Sequence, residues 1–225
     1  MSVRVLALVV CLAALAPAQR IKYIGAIGGI STLSADGRTV ITPQSTAVSL
    51  YKPENGAAVN VFGGVHLDDY FSIQGNYVWN ANPVRITSTR FADGAETLYD
   101  QRRNSNQHAF LGEVLVNFRD RFSGIRPYLS IGAGVVRLSS EEEELLNVRG
   151  PAVPVARHFV STRPAIRSAV GIDLRIAPGW ALRYSFAETI RGNAFSKRMD
   201  PRGERNLANF QNLFGLVRTF GGTHR

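Results

Sequence analysis

Apart from an apolar first segment, the chain is organised by alternation of apolar and polar side chains. The clearest run is Ile166-Arg-Ser-Ala-Val-Gly-Ile-Asp-Leu-Arg-Ile176. Ile166, Ser168, Val170, Ile172, Leu174 and Ile176 fall on one face, and Arg167, Ala169, Gly171, Asp173 and Arg175 on the other. A helix would wind Arg and Ile around every side; a strand separates them. The next run does the same. Trp180, Leu182, Tyr184, Phe186 and Ile190 share a face, interrupted by Glu188, opposite Ala181, Arg183, Ser185, Ala187, Thr189 and Arg191. Only Ala177-Pro178-Gly179 lies between the two runs, which predicts a tight hairpin.

The same grammar predicts eight strands: Tyr23–Thr32, Ala58–Leu67, Tyr70–Asn80, Gln107–Arg119, Arg126–Leu138, Ile166–Ile176, Trp180–Arg191 and Ala208–Phe220. At about ten to thirteen residues they match a tilted bilayer crossing and exceed the usual soluble strand. Short turns near 68–69, 120–125 and 177–179 alternate with long polar stretches at 33–56, 81–106, 139–163 and 192–207. The long stretches read as structureless loops at one end of a meander and the short turns as the other end. That asymmetry is unexpected in a compact soluble domain and expected of an outer-membrane barrel. The register of Tyr23–Thr32 stays open, because Gly and Ile interleave there.

Aromatic residues cluster at both ends of these strands. Tyr23, Tyr70, Phe71, Phe118, Phe122, Tyr128, Trp180 and Phe220 fall near the short turns, and Tyr77, Trp79, Phe110 and Phe210 toward the long loops. Two girdles at the membrane interfaces would give this distribution. Mid-strand glycines, among them Gly132 and Gly134, read as small inward positions that admit long side chains into a narrow lumen.

The first eighteen residues read as a cleavable leader, with Arg4, an apolar stretch from Val5 to Leu15, and Ala16-Pro17-Ala18 as the cleavage site. The barrel then occupies 19–220, with 221–225 as a short tail. The single cysteine, Cys11, lies in the leader, so neither a disulfide framework nor a Cys-based zinc site is expected. Four His are too few for a His-rich metal site, and no cofactor is expected. The net charge of +9 raises nucleic-acid binding as an option. The charges are dispersed, and no nucleic-acid fold signature accompanies them.

Three features together carry a family resemblance: the leader, the strand Pro127-Tyr-Leu-Ser-Ile-Gly-Ala-Gly134, and the closing strand Asn212-Leu-Phe-Gly-Leu-Val-Arg-Thr-Phe220. Over about residues 19–220 the chain resembles the small eight-stranded outer-membrane barrels of the outer-membrane-protein-A-like and opacity-protein families. The resemblance implies an all-β, eight-stranded antiparallel up-and-down transmembrane barrel, with short periplasmic turns and four long extracellular loops. It also implies partners: outer-membrane lipid, lipopolysaccharide and the outer-membrane assembly machinery. In that family the last strand is similar to an assembly signal, a terminal aromatic preceded by alternating apolar residues. Phe210, Phe214, Leu216 and Phe220 fit it; Asn212 and Arg218 depart.

Within such a barrel the inward face would carry Glu113, Arg167, Asp173, Arg175 and Arg183, read as a charged network that plugs the lumen. Asp173 and Arg183 fall at comparable heights on neighbouring strands. Arg137, Arg191, Lys197 and Arg198, near the long-loop rim, are candidates for lipopolysaccharide phosphates. The acidic run Glu141–Glu144 lacks calcium-loop spacing. His108 with Ser105, and His158 with Ser161, do not form the His-x-Ser pattern of a barrel lipid hydrolase, so no enzyme is expected. Alternation is symmetric, which leaves two rivals: a soluble lipocalin-like barrel with the apolar stripe inward, and a narrow ion-conducting pore.

Overall fold

The computed structural model describes residues 21–152 and 154–221. The expected leader and most of the tail lie outside them. Ten strands form: β1 (Lys22–Leu33), β2 (Asp36–Thr42), β3 (Ser45–Pro53), β4 (Gly56–His66), β5 (Phe71–Ala92), β6 (Ala95–Asn117), β7 (Ile125–Arg149), β8 (His158–Ala177), β9 (Trp180–Gly192) and β10 (Asn206–Phe220). A 3-10 turn at Ser196–Arg198 is the one helical element among the described residues. Eight strands close into an antiparallel ring, β1-β4-β5-β6-β7-β8-β9-β10, with β10 returning to β1. Closure leaves no edge within the ring, so every backbone polar group there has a partner, which is what a bilayer interior demands.

Side-chain parity sets the two faces. Ile24, Ile30, Val61, Ile73, Val114, Ile131, Ile166, Val170, Phe186 and Phe214 are exposed on the outer wall. Asn60, Gln74, Asn76, Glu113, Ser130, Arg167, Arg183 and Gln211 are buried in the lumen. A lipocalin-like barrel would be turned the other way. The outer wall has polar interruptions at Ser168, Glu188 and Asn212; Asn212 Oδ1 accepts a 2.9 Å hydrogen bond from the Tyr184 hydroxyl. β1 takes one register, with Tyr23 opposite Thr219 and Gly64, which sends Tyr23, Ile27, Ser31 and Leu33 inward.

The glycines make room for rings from adjacent strands. A side chain at Gly64 would meet the Tyr23 ring, one at Gly171 the Tyr128 ring, and one at Gly25 the Phe62 ring. Tyr23 and Tyr128 therefore stand inside the barrel, not in a girdle. Their position along the strand sets only their height, and period-two parity sets their side. Tyr70, Phe71, Phe118, Phe122, Trp180 and Phe220 are exposed at the short-turn rim.

The long connections depart from the expected structureless loops. Residues 33–56 contain the β2–β3 hairpin, and β3 pairs with the upper half of β5. Residues 81–106 are continuous strand on both sides of an Asp93-Gly94 turn, where both residues have positive φ (50° and 75°). That is the backbone a two-residue hairpin requires. β7 runs to Arg149 and β8 starts at His158, so among the described residues of the long connections only 150–152, 154–157 and 193–205 remain irregular, apart from tight turns and the 3-10 turn. β5, β6 and β7 have 22, 23 and 25 residues, about twice what a bilayer crossing takes. Their upper halves stand clear of the membrane as a sheet extension. Two of the three short turns are capped by carboxylates: Asp68 accepts amide hydrogens from Tyr70 and Phe71, and Asp120 those of Phe122 and Ser123. These bonds hold both carboxyls below the usual carboxylate range.

Candidate functional site

The lumen is filled by layers of polar side chains. Nearest the short turns, Arg183 reaches from β9 to Asp173 on β8 with two hydrogen bonds, Nε at 2.6 Å and Nη2 at 2.7 Å. The two residues are direct cross-strand partners. Arg183 Nη1 donates to Gln74 Oε1 across the lumen at 3.0 Å. Its guanidinium lies 4.7 Å from the Tyr128 ring centroid and 4.8 Å from that of Phe62. Cation–π contact of this kind strengthens when the cation is shielded from water.

One layer higher, Arg167 Nη1 donates to Glu113 Oε1 at 2.5 Å, with each side chain only 2% exposed. Ser130 donates to the other Glu113 oxygen at 3.0 Å. Gln211 links this layer to Asn80 at 2.7 Å. Above it, Arg191 Nε donates to Gln107 Oε1 at 3.2 Å. Desolvating two ions costs several kcal/mol per ion, and only close geometry with further hydrogen bonds offsets that. Both carboxylate pairs meet the condition.

Two of the expected site residues lie elsewhere. Arg175 is exposed at the short-turn mouth, where Nη2 donates to the Arg121 carbonyl at 2.7 Å. It keeps the inward register of Asp173, opposite Ala181, but lies past the packed layers, where the mouth opens to water. Arg191 is buried inside the barrel, so it cannot reach lipid phosphates. It shares the inward parity of Arg183 and Ala187 on β9, which overrides its height near the outer rim. Arg137, Lys197 and Arg198 are exposed at that rim. Phe214, Leu216 and Phe220 point outward on β10, and Phe210 is half-buried against Phe186, ring centroids 6.2 Å apart.

Above the lumen, the extension has an apolar centre of its own. Leu33, Tyr51, Val84, Ile86, Tyr99, Leu138, Val155, Phe195, Met199 and Leu207 pack together. Phe195 and Met199 come from segment 193–205, which folds into the outer mouth. Asp200 holds it there: its carboxylate takes two 2.6 Å bonds from Arg90, and its carbonyl accepts from Ser88 at 2.6 Å. Tyr99 donates to the Arg198 carbonyl at 2.9 Å, and the Asp36 carboxylate accepts the Glu204 amide at 2.6 Å. Burial in this cluster pushes the Tyr51 and Tyr99 hydroxyls up to about 12.

Arg103 ties in the second irregular segment. It is fully buried and donates to the carbonyls of Ser140, Val155, Ala156 and Arg157 at 3.0–3.3 Å. Sequence reasoning missed Arg103, Phe195 and Asp200 because their stretches read as loop. The signal available for Arg103 was the Asp93-Gly94 dipeptide, which marks a hairpin through that stretch.

The acidic run is engaged in cross-strand pairs. Glu141 meets His158 at 3.5 Å and Glu143 meets Arg102 at 3.6 Å, while Glu142 accepts from Gln101. Among the described residues no cluster of His, Cys, Asp or Glu could hold a metal ion. His108 hydrogen-bonds the Tyr77 hydroxyl at 2.8 Å and has no serine partner.

A closed ring of eight strands, apolar outside and charged inside, is the architecture shared by small outer-membrane barrels. The sequence model of the outer membrane protein beta-barrel domain matches residues 4–217. The chain belongs to this outer-membrane barrel family. Membership places it in the bacterial outer membrane. Neisserial surface protein A has a similar fold, with a TM-score of 0.51 and 12% identity over 88% of this chain and 97% of that one. OprG from Pseudomonas aeruginosa gives 0.48 and 10%, over 89% and 96%. Ail, the attachment invasion locus protein of Yersinia pestis, gives 0.46 and 9%, over 90% and 100%. No curated protein matches the chain in sequence. At such identities the likeness is one of fold, and this barrel's activity has to be argued from its own residues.

Proposed function

We propose that this barrel is a non-enzymatic surface protein whose lumen is plugged and whose working face is the sheet extension. The observation that carries this reading is the filled outer mouth: segments 154–157 and 193–205 fold inward and are held by Arg103, Asp200 and Phe195. Beneath them lie the Glu113–Arg167 pair and the Asp173–Arg183 pair, whose arginine also reaches Gln74 across the lumen. A solute would have to break both layers, each stabilised by several bonds, to pass. The strands anchor the molecule, and the extension with its irregular tips is where a binding surface would lie. The outward Phe210, Phe214, Leu216 and Phe220 of β10 would serve as the signal read by the assembly machinery.

The exposed cations at the outer rim give the extension a first partner. Arg137, Lys197 and Arg198, all exposed, would engage lipopolysaccharide phosphates by charge-assisted hydrogen bonds. The full chain in bicelles containing lipopolysaccharide should unfold at a higher temperature than in phospholipid bicelles of equal charge. Exchanging the three for Gln should remove most of that difference while leaving the phospholipid value unchanged. Equal unfolding temperatures in the two lipids would refute the contact.

A further inference from the structure

The short-turn mouth holds a cavity of about 570 Å³ that the plugged-lumen reading does not use. Its charge balance is uneven. Arg121, Arg126, Arg175, Arg183 and Arg218 line it, against the single carboxylate of Asp173. Arg183 is matched to Asp173, and Arg121 to Asp69 at 2.8 Å. Arg126 is 6% exposed and pairs with no carboxylate among the described residues. Its bonds go to backbone carbonyls, Asp69 at 2.6 Å and Arg119 at 3.3 Å. Arg175 likewise donates only to a carbonyl. A buried guanidinium with no carboxylate is costly unless an anion compensates it, and Arg175 lines the same cavity.

The rest of the wall is apolar. Ile21, Phe122, Ile176, Pro178, Trp180 and Val217 contribute to it. The volume falls within the range of small-molecule sites, which combine apolar walls with a few convergent polar groups. From this geometry we infer that the periplasmic mouth is a binding site for a small carboxylate with an apolar body. The carboxylate sits between Arg126 and Arg175, whose guanidinium forks match its two oxygens, and the body lies against Ile21, Val217 and Trp180. The ligand enters from the periplasm, because the outer mouth is filled.

Trp180 supplies a reporter, since the chain has only two tryptophans. The test uses the full chain carrying Trp79→Phe, refolded in a zwitterionic detergent, with Trp180 fluorescence followed during titration. The probes are N-acetyl-alanyl-alanine, its C-terminal amide, and inorganic phosphate. The acid should give a saturable change and the amide none. Phosphate, lacking the apolar body, should bind at least about tenfold more weakly. Arg126→Met should weaken the acid at least about tenfold, the scale of a lost charge-assisted bond. Arg175→Gln, at an exposed position that folding does not depend on, should weaken it in the same direction. No saturable change, equal responses to acid and amide, phosphate binding as tight as the dipeptide, or unaltered affinity in both variants would each overturn the assignment.

Discussion

Arg183 and Arg191 lie on one strand, share one face and are both buried, yet their surroundings differ. Arg183 has a carboxylate, an amide and three aromatic rings within reach; Arg191 has only the Gln107 side-chain oxygen and the carbonyl of Gly192. Removing one partner of a buried pair leaves the other charge unmatched, at a cost of about 3–5 kcal/mol. Arg183→Ala should therefore lower the unfolding temperature of the detergent-solubilised barrel by several degrees. The double variant Arg183→Met with Asp173→Asn should lose less, because no bare charge remains. An unchanged temperature in the single variant would argue against a structural role for the pair. Parity made Glu113, Arg167, Asp173 and Arg183 legible as inward residues. It also carried the correct side for Arg191, whose height near the rim suggested the wrong one. Arg126 was legible in the same way, two positions before inward Tyr128. What the sequence did not carry was its lack of a carboxylate, since pairing depends on which strands meet across a closed ring.

At the scale of elements, the membrane-crossing parts of all eight strands were readable, because lipid on one side and a packed lumen on the other impose strict alternation. The extension was not read, although it alternates too. Val84, Ile86, Tyr99, Gln101 and Arg103 are buried by turns with exposed or half-exposed neighbours. Its buried positions mix apolar with long polar side chains, so hydropathy alone does not reveal the pattern. The Asp93-Gly94 dipeptide was the strongest local hairpin signal and is where the chain turns. The inward fold of 193–205 has no local signature, because Phe195 and Met199 gain burial mostly from residues far away in sequence, Tyr51, Val84 and Tyr99 among them. Phe195→Ala should loosen this segment specifically. Limited trypsin digestion should then cut faster after Lys197 and Arg198, while the barrel keeps its heat-dependent gel mobility. Cleavage at the wild-type rate would show that Phe195 does not hold the segment in place.

For the whole molecule, two polarities coexist. Across the wall, apolar residues face lipid and charged residues face the lumen, an arrangement stable only in a membrane. Along the axis, the outer mouth is filled by the chain's own segments and the inner mouth is a basic cavity. This axial asymmetry supports the proposal of an anchored surface protein with a sealed interior over a narrow pore of the same fold. Current recording from the full chain reconstituted in planar bilayers tests that most directly. The sealed barrel should give no discrete conductance steps beyond the bare membrane, whichever sign of voltage is applied. Reproducible stepwise openings at low voltage would show that ions pass both the Phe195 layer and the buried arginine–carboxylate pairs, and would contradict the account.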